Sequence, residues 1–294
     1  MAKVTLRVPA TSANLGPGFD AFGCALELYN TYTFEQTEGP VEVTGCPEEF
    51  CNEENLSIQA YRYALEAMGL PMEGIRLHVQ AEIPVCRGLG SSSAMIIGGI
   101  MAANVLHGRP FTTEKLLALC TVLEGHPDNL APALYGGMTA SLMRNGEPVT
   151  ARFPLSPQLR FLALVPDFPL STELARSVLP KQVPFADAVF NVSHAALLLR
   201  ALETADTDMI ALALNDRLHQ PYRKHLIRDY DRVEAIAKAC GCTAFCISGA
   251  GPTCLCIAAD DVVGEKLAER LPKECPGWQV LALRVDTEGA KILE

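Results

Sequence analysis

The sequence has no basic run, no apolar stretch of membrane-spanning length, no Cys-x-x-Cys pair and no internal repeat. Each absence removes a class of function. The 24 Lys and Arg stand against 34 Asp and Glu, a net charge of −10. Without a basic stripe the chain lacks the footprint that holds a phosphate backbone, so neither nucleic acid nor anionic membrane is an expected partner. The longest apolar run, residues 94–106, is too short to cross a bilayer and contains Gly98, Gly99 and Asn104. The opening MAKVTLRVPATSAN holds no apolar core of signal-peptide length, which sets the expectation of a cytoplasmic protein. The 11 cysteines are odd in number and scattered, a poor basis for a disulfide framework in a reducing compartment. Cys240, Cys242, Cys246, Cys254 and Cys256 lack zinc-site spacing. They read as small buried hydrophobes, Cys254 and Cys256 on one face of a strand.

What is present is an ordinary globular composition, 49% hydrophobic and 20% charged over 294 residues. That length fits two packed domains or one large one. Val4, Leu6 and Val8 alternate, as do Ile75, Leu77, Val79 and Ala81, predicting strands. Residues 29–34 and 41–43 also read as strands. Residues 55–68 predict an amphipathic helix with a polar cap at Asn55, and 91–107 and 113–124 predict two more. The second half predicts a strand at 160–165, helices near 171–179, 186–204, 207–215 and 229–239, and strands at 243–247 and 253–258. A helix at 261–271 and a strand at 278–285 follow. That order suggests a β-α-β-β-α-β sandwich with a helical insertion. The proline-spaced stretch from Pro148 to Pro157 is the expected boundary.

The strongest local signal is Ile83-Pro84-Val85-Cys86-Arg87-Gly88-Leu89-Gly90-Ser91-Ser92-Ser93-Ala94, between an alternating strand and an apolar helix. Glycines allow close backbone approach to a ligand. Serines at a helix start offer N–H and hydroxyl groups to an anion, aided by the helix dipole. A capping account explains one serine but not three with two glycines. The segment is not a Walker A loop, since no Lys-Ser/Thr follows the glycines. Nor is it a dinucleotide fingerprint, since Ser93 stands where the third glycine belongs.

Three segments together resemble the GHMP kinases (galacto-, homoserine, mevalonate and phosphomevalonate kinases). The serine loop is similar to their ATP-binding motif. Pro9-Ala10-Thr11-Ser12-Ala13-Asn14-Leu15-Gly16-Pro17-Gly18-Phe19-Asp20 resembles their first motif, and Ser248-Gly249-Ala250-Gly251-Pro252-Thr253 their third. The resemblance covers essentially the whole chain. It implies an α+β, two-domain fold: a ribosomal protein S5 domain 2-like N-terminal domain over 1–155 and a ferredoxin-like C-terminal domain over 156–294. ATP and substrate would bind in the cleft between them. ATP and Mg²⁺ are the implied cofactors, and a homodimer is the assembly the family suggests.

The resemblance also implies roles for single residues. Pro84, Val85, Cys86, Arg87, Gly88, Leu89, Gly90, Ser91, Ser92 and Ser93, with Asn55, would bind ATP. Ser92 and Glu124 would hold Mg²⁺. Glu124 ends a predicted helix, where a carboxylate meets the unfavourable end of the dipole unless a cation compensates; pointing to solvent is the other account. Glu124 to Ala133 (EGHPDNLAPA) is similar to the family's magnesium and substrate segment, although only Gly125 separates Glu124 from His126. Ser171 to Arg176 and Leu218 to Arg223 resemble the segments that supply substrate arginines, whose planar fork matches a carboxylate. Asn14, Asp20, His126, Asp128, Asn129, Arg176, Arg223 and Gly249 would surround a small zwitterionic alcohol, homoserine. Mevalonate fits less well, because the histidine-glycine step usual in that branch is absent. Asn129, Arg176 and Glu124 carry the expected catalytic roles, and whether Asp20 or Asp128 acts as a base is left open.

Overall fold

The computed structural model describes residues 2–293. The first half of the chain builds β1 (Lys3–Ala13), β2 (Phe22–Thr37), β3 (Glu42–Thr44), α1 (Leu56–Met68), β4 (Gly74–Ala81), α2 (Ser91–Leu106), α3 (Thr113–Glu124), α4 (Leu130–Tyr135), β5 (Met138–Arg144) and β6 (Glu147–Phe153). The second half builds β7 (Arg160–Pro166), α5 (Thr172–Ser177), α6 (Phe185–Thr204), α7 (Thr207–Ala213), α8 (Gln220–Arg223) and α9 (Tyr230–Cys240). It ends with β8 (Ala244–Ile247), β9 (Cys254–Ala258), α10 (Asp261–Glu274), β10 (Trp278–Leu283) and β11 (Lys291–Ile292).

The strands form two sheets. In the first, β11-β1-β2-β4-β3 are neighbours, with β5 on β2 and β6 on β5. Val4, Leu6 and Val8 point from β1 into one core with Ile75, Leu77 and Val79 of β4, as the period-two pattern requires. Helices α1 and α2 cover that face. Asn55 starts α1 by accepting the Ser57 N–H, and Gly69 ends it in a left-handed turn. The second sheet has the order β10-β7-β9-β8, all antiparallel. With α9 between β7 and β8, and α10 between β9 and β10, this is the expected ferredoxin-like arrangement. Helices α5 to α8 are the insertion.

Some expectations shift. The strand expected at 29–34 is the middle of the 16-residue β2. Its start, Phe22 to Leu26, is buried on both faces, which erases the alternation. The stretch read as a boundary is half strand: Pro148 lies in β6, opposite Met143. β6 is an edge strand, where proline is tolerated because no outer partner needs its N–H. Residues 285–292 return to the first sheet through the Val285–Leu26 bridge and β11. By length and composition alone α6 could cross a membrane, although the longest unbroken apolar run lies in α2. Asn191 ties α6 to the chain by donating to Pro17 O and Asp216. Cys240, Cys242, Cys246, Cys254 and Cys256 are all buried free thiols.

Candidate active site

The loop from β4 to α2 is shaped by its carbonyls. Cys86 O accepts from Leu170 N, Arg87 O from Thr253 N, and Leu89 O from Thr11 N. Gly88 O accepts the Ser248 hydroxyl at 2.6 Å, and Gly90 O the Ala94 N–H. With these oxygens held, the N–H groups of Gly88 to Ser92 have no intramolecular acceptor among the described residues. They form a row of donors at the positive end of α2, which suits an anion. Gly88 adopts φ +77°, and a Cβ there would lie 2.5 Å from Ser248 O. No side chain of this size fits.

Capping does not explain the serines. Gly90 is the N-cap of α2, and no side chain caps the helix. Instead Ser92 Oγ donates to Glu124 Oε2 at 2.8 Å, and Ser93 Oγ to Oε1 at 3.0 Å. Glu124 sits at the unfavourable end of α3, yet its carboxylate lies at the start of α2. Two hydroxyls and a favourable dipole offset the unfavourable one.

Beyond Glu124 the chain turns through His126 to α4. His126 Nδ1 lies 2.5 Å from Asp128 Oδ1, and the buried Asp128 also accepts the Asn129 N–H. The hydrogen bond to Asp128 raises the His126 pKa above its ordinary 6.5, against the opposing effect of burial. Asn129 stands at the N-cap of α4 but caps nothing; its Oδ1 accepts the Thr11 hydroxyl at 2.8 Å.

Two arginines close the opposite wall. Arg176 grips Asp20 with both arms of its fork, at 3.0 and 2.8 Å. That bond, more than burial opposing it, raises the Arg176 pKa. Arg223 is buried, and its partners among the described residues are the neutral Ala175 O, Gly249 O and His219 Nδ1. Burial, then repulsion from Arg176, lowers its pKa to about 10. Phe19 lies under both guanidiniums, 5.8 Å from Arg176 and 5.1 Å from Arg223, and stacks on His219. Burial depresses the His219 pKa, and its neighbours suit a neutral ring: Nε2 lies 2.9 Å from the acceptor Gly16 O, and Nδ1 faces the Arg223 guanidinium donor. Asp216, whose side chain is fully buried, accepts from the backbone N–H groups of Leu218, His219 and Gln220. It anchors the turn that delivers Arg223.

These groups enclose a cavity of about 130 Å³. Asn14, Asp20, Cys86 to Gly88, Gly90, Ser91, Ser92, Glu124, His126, Asp128, Asn129, Arg176, Arg223 and Gly249 line it. Asn14 spends both ends of its amide on structure, donating to Gly249 O and accepting from Asp20 N. Leu89 and Ser93 are fully buried. Pro84 and Val85 line an open groove of about 570 Å³ that shares Cys86 and Arg87 with the cavity. Asn55 lines neither: its Oδ1 caps α1 and its Nδ2 donates to Phe50 O, a residue of the groove wall. Phe19, His219 and Asp216 were not singled out from the sequence. Only the buried polar character of the first motif and the apposition of α8 reveal them.

Residues 55–137 match the GHMP kinases N terminal domain, and residues 197–277 the GHMP kinases C terminal domain. A homoserine kinase of Clostridium botulinum (strain Eklund 17B / Type B) is 40% identical over 294 residues, covering 99% of each chain. A homoserine kinase of Clostridium beijerinckii is also 40% identical, with the same coverage. The crystal structure of homoserine kinase from Cytophaga hutchinsonii superposes with a TM-score of 0.87 at 27% identity, covering 100% of this chain and 98% of that one.

Proposed function

The chain belongs to the homoserine kinases of the GHMP kinase family, and from that premise we propose that its cleft phosphorylates the side-chain hydroxyl of L-homoserine with ATP. The product is O-phospho-L-homoserine, an intermediate of threonine biosynthesis. The observation that carries this reading is one cavity lined by a donor row, a serine-held carboxylate and two arginines. Phosphoryl transfer needs positioning and charge stabilisation more than covalent help, and this lining supplies both.

The N–H groups of residues 88–92 would hold the phosphates of ATP, and the groove beside Pro84 and Val85 would take the base. Ser92 and Glu124 fit Mg²⁺. Both offer hard oxygens, and Ser92 Oγ lies 2.8 Å from Glu124 Oε2. Adjacent ligands of an octahedron with bonds of about 2.0–2.1 Å lie about 2.9 Å apart. When bound, Mg²⁺ would neutralise charge on the phosphates. Arg223, which has no anionic partner of its own among the described residues, would take the substrate carboxylate together with Arg176. Homoserine would then enter as a zwitterion, its ammonium replacing Arg176 as the partner of Asp20. Asn129 would orient the reacting groups. Asp20 is held by Arg176, and Asp128 by His126 and a backbone N–H. Both carboxylates are committed to charge pairing, which supports passage of the hydroxyl proton directly to the γ-phosphoryl group.

Residues 1–155 and 156–294 would act as the two domains, with β11 returned to the first. A cytoplasmic enzyme, working as a homodimer on a small molecule and binding neither nucleic acid nor membrane, fits this reading. The test is ADP release with homoserine, ATP and Mg²⁺. Turnover with homoserine and none with mevalonate is expected; the reverse pattern refutes the proposal.

A further inference from the structure

We infer that Thr11 is a positioning residue for phosphoryl transfer: its buried hydroxyl holds the Asn129 side chain by its amide oxygen and so leaves the amide donors to the cleft. The inference rests on the reading of Asn129 given above. Three observations carry it. Thr11 is fully buried on β1, and its hydroxyl donates to Asn129 Oδ1 at 2.8 Å. Asparagine at a helix N-cap ordinarily turns its side-chain oxygen back to the first-turn N–H groups, yet Asn129 makes no such bond. The oxygen is taken by Thr11 instead. Finally, Gly90 clears the space in which the hydroxyl sits, since a Cβ on Gly90 would lie 2.1 Å from Thr11 Oγ1.

With Oδ1 engaged by Thr11, the Nδ2 group of Asn129 makes no protein hydrogen bond among the described residues, and Asn129 is a residue of the cavity lining. The two amide donors of Asn129 are therefore free for a ligand in the cleft. Donors suit the oxygens of a transferring phosphoryl group, where negative charge must be held. An amide turned the other way would set a carbonyl oxygen against those oxygens. A hydroxyl is needed at position 11 for this, because it can donate to the amide oxygen and a methyl cannot. Thr11 N also donates to Leu89 O. The same residue thus ties the Asn129 amide to the phosphate loop, and both are referenced to β1.

The experiment is a double-mutant cycle of Thr11→Val and Asn129→Ala, with Thr11→Ser as the conservative variant. Melting temperature, kcat, and KM for ATP and for homoserine are read for each. Thr11→Val should lower kcat by about tenfold or more while both KM values stay within about threefold. Thr11→Ser should restore kcat to within about threefold of the parent. In the Asn129→Ala background, Thr11→Val should add nothing, because the two act as one unit. Three results overturn the inference: Thr11→Val at parental kcat beside a slow Asn129→Ala, losses that multiply in the double variant, or Thr11→Ser as slow as Thr11→Val. An Asn129→Ala variant with parental kcat refutes the reading of Asn129 itself, and the inference falls with it.

Discussion

Replacing Ser92 by Ala should separate the two things a serine at a helix start can do. In the free protein the Ser92 side chain is exposed and makes one hydrogen bond, to the carboxylate of Glu124. It caps nothing. An exposed bond of this kind is worth about 0.5 kcal/mol. For a chain of this size about 1 kcal/mol shifts Tm by about 2–4 °C, so Tm should fall by less than about 2 °C. In the nucleotide complex the same oxygen would face the metal and phosphates. Loss of one such stabilising group typically costs about 2.7–4 kcal/mol, or roughly a hundred- to a thousandfold in kcat. The assay pairs thermal unfolding without ligand with ADP release at saturating homoserine and varied ATP and Mg²⁺. Ser93→Ala is the internal control. Ser93 bonds the same carboxylate but is fully buried, so its loss should cost about 1 kcal/mol of stability and less in turnover. A Ser92→Ala protein that melts several degrees lower and turns over normally would refute the reasoning.

Arg176→Lys keeps the charge but loses the fork that now spans both oxygens of Asp20. A charge-assisted bond is worth about 1.5–3 kcal/mol, so KM for homoserine should rise about tenfold or more while KM for ATP holds. KM values for homoserine within about twofold of the parent would remove Arg176 from the substrate site. His126 titrates above its unfolded 6.5 because Asp128 holds its proton. A raised folded-state pKa stabilises fully below the unfolded value, and that stability is lost as pH rises through the folded one. The Tm difference between the parent and His126→Gln should therefore be largest below pH 6.5 and shrink as pH rises above it. A difference independent of pH would show that the ion pair contributes nothing.

The sequence announces what is local. The serine loop, the first and third motifs, and the limits of α1, α2 and α3 are written in residues next to one another. So is the strand and helix order of the second half. Elements defined by distant partners are silent. The hairpin β5–β6 was hidden because its strands are half exposed and a proline sits in one of them. Nothing local shows that the asparagine at the start of α4 turns its side chain away from that helix. The supports beneath the arginines were hidden for the same reason. Arg223 was visible through its neighbours, but Phe19, His219 and Asp216 matter only because residues about 200 apart in sequence, such as Gly16 and His219, are in contact.

The carbonyls of the phosphate loop have a consequence for genetics. Cys86, Arg87 and Gly88 take their shape from Leu170, Thr253 and Ser248, residues of the other half of the chain. A random screen for loss of nucleotide binding should thus return changes at Ser248 at least as often as at Cys86, although Ser248 is buried beneath the loop and Cys86 is exposed in it. The side chain of Cys86 is exposed and can drift among residues that tolerate its φ of +54°. Gly88 is not free, because Ser248 O and Gly251 O occupy the space a side chain would need. Fragments that split the chain near residue 155 should regain affinity for ATP only on reassociation, which makes nucleotide binding a reporter of whether the two halves have met.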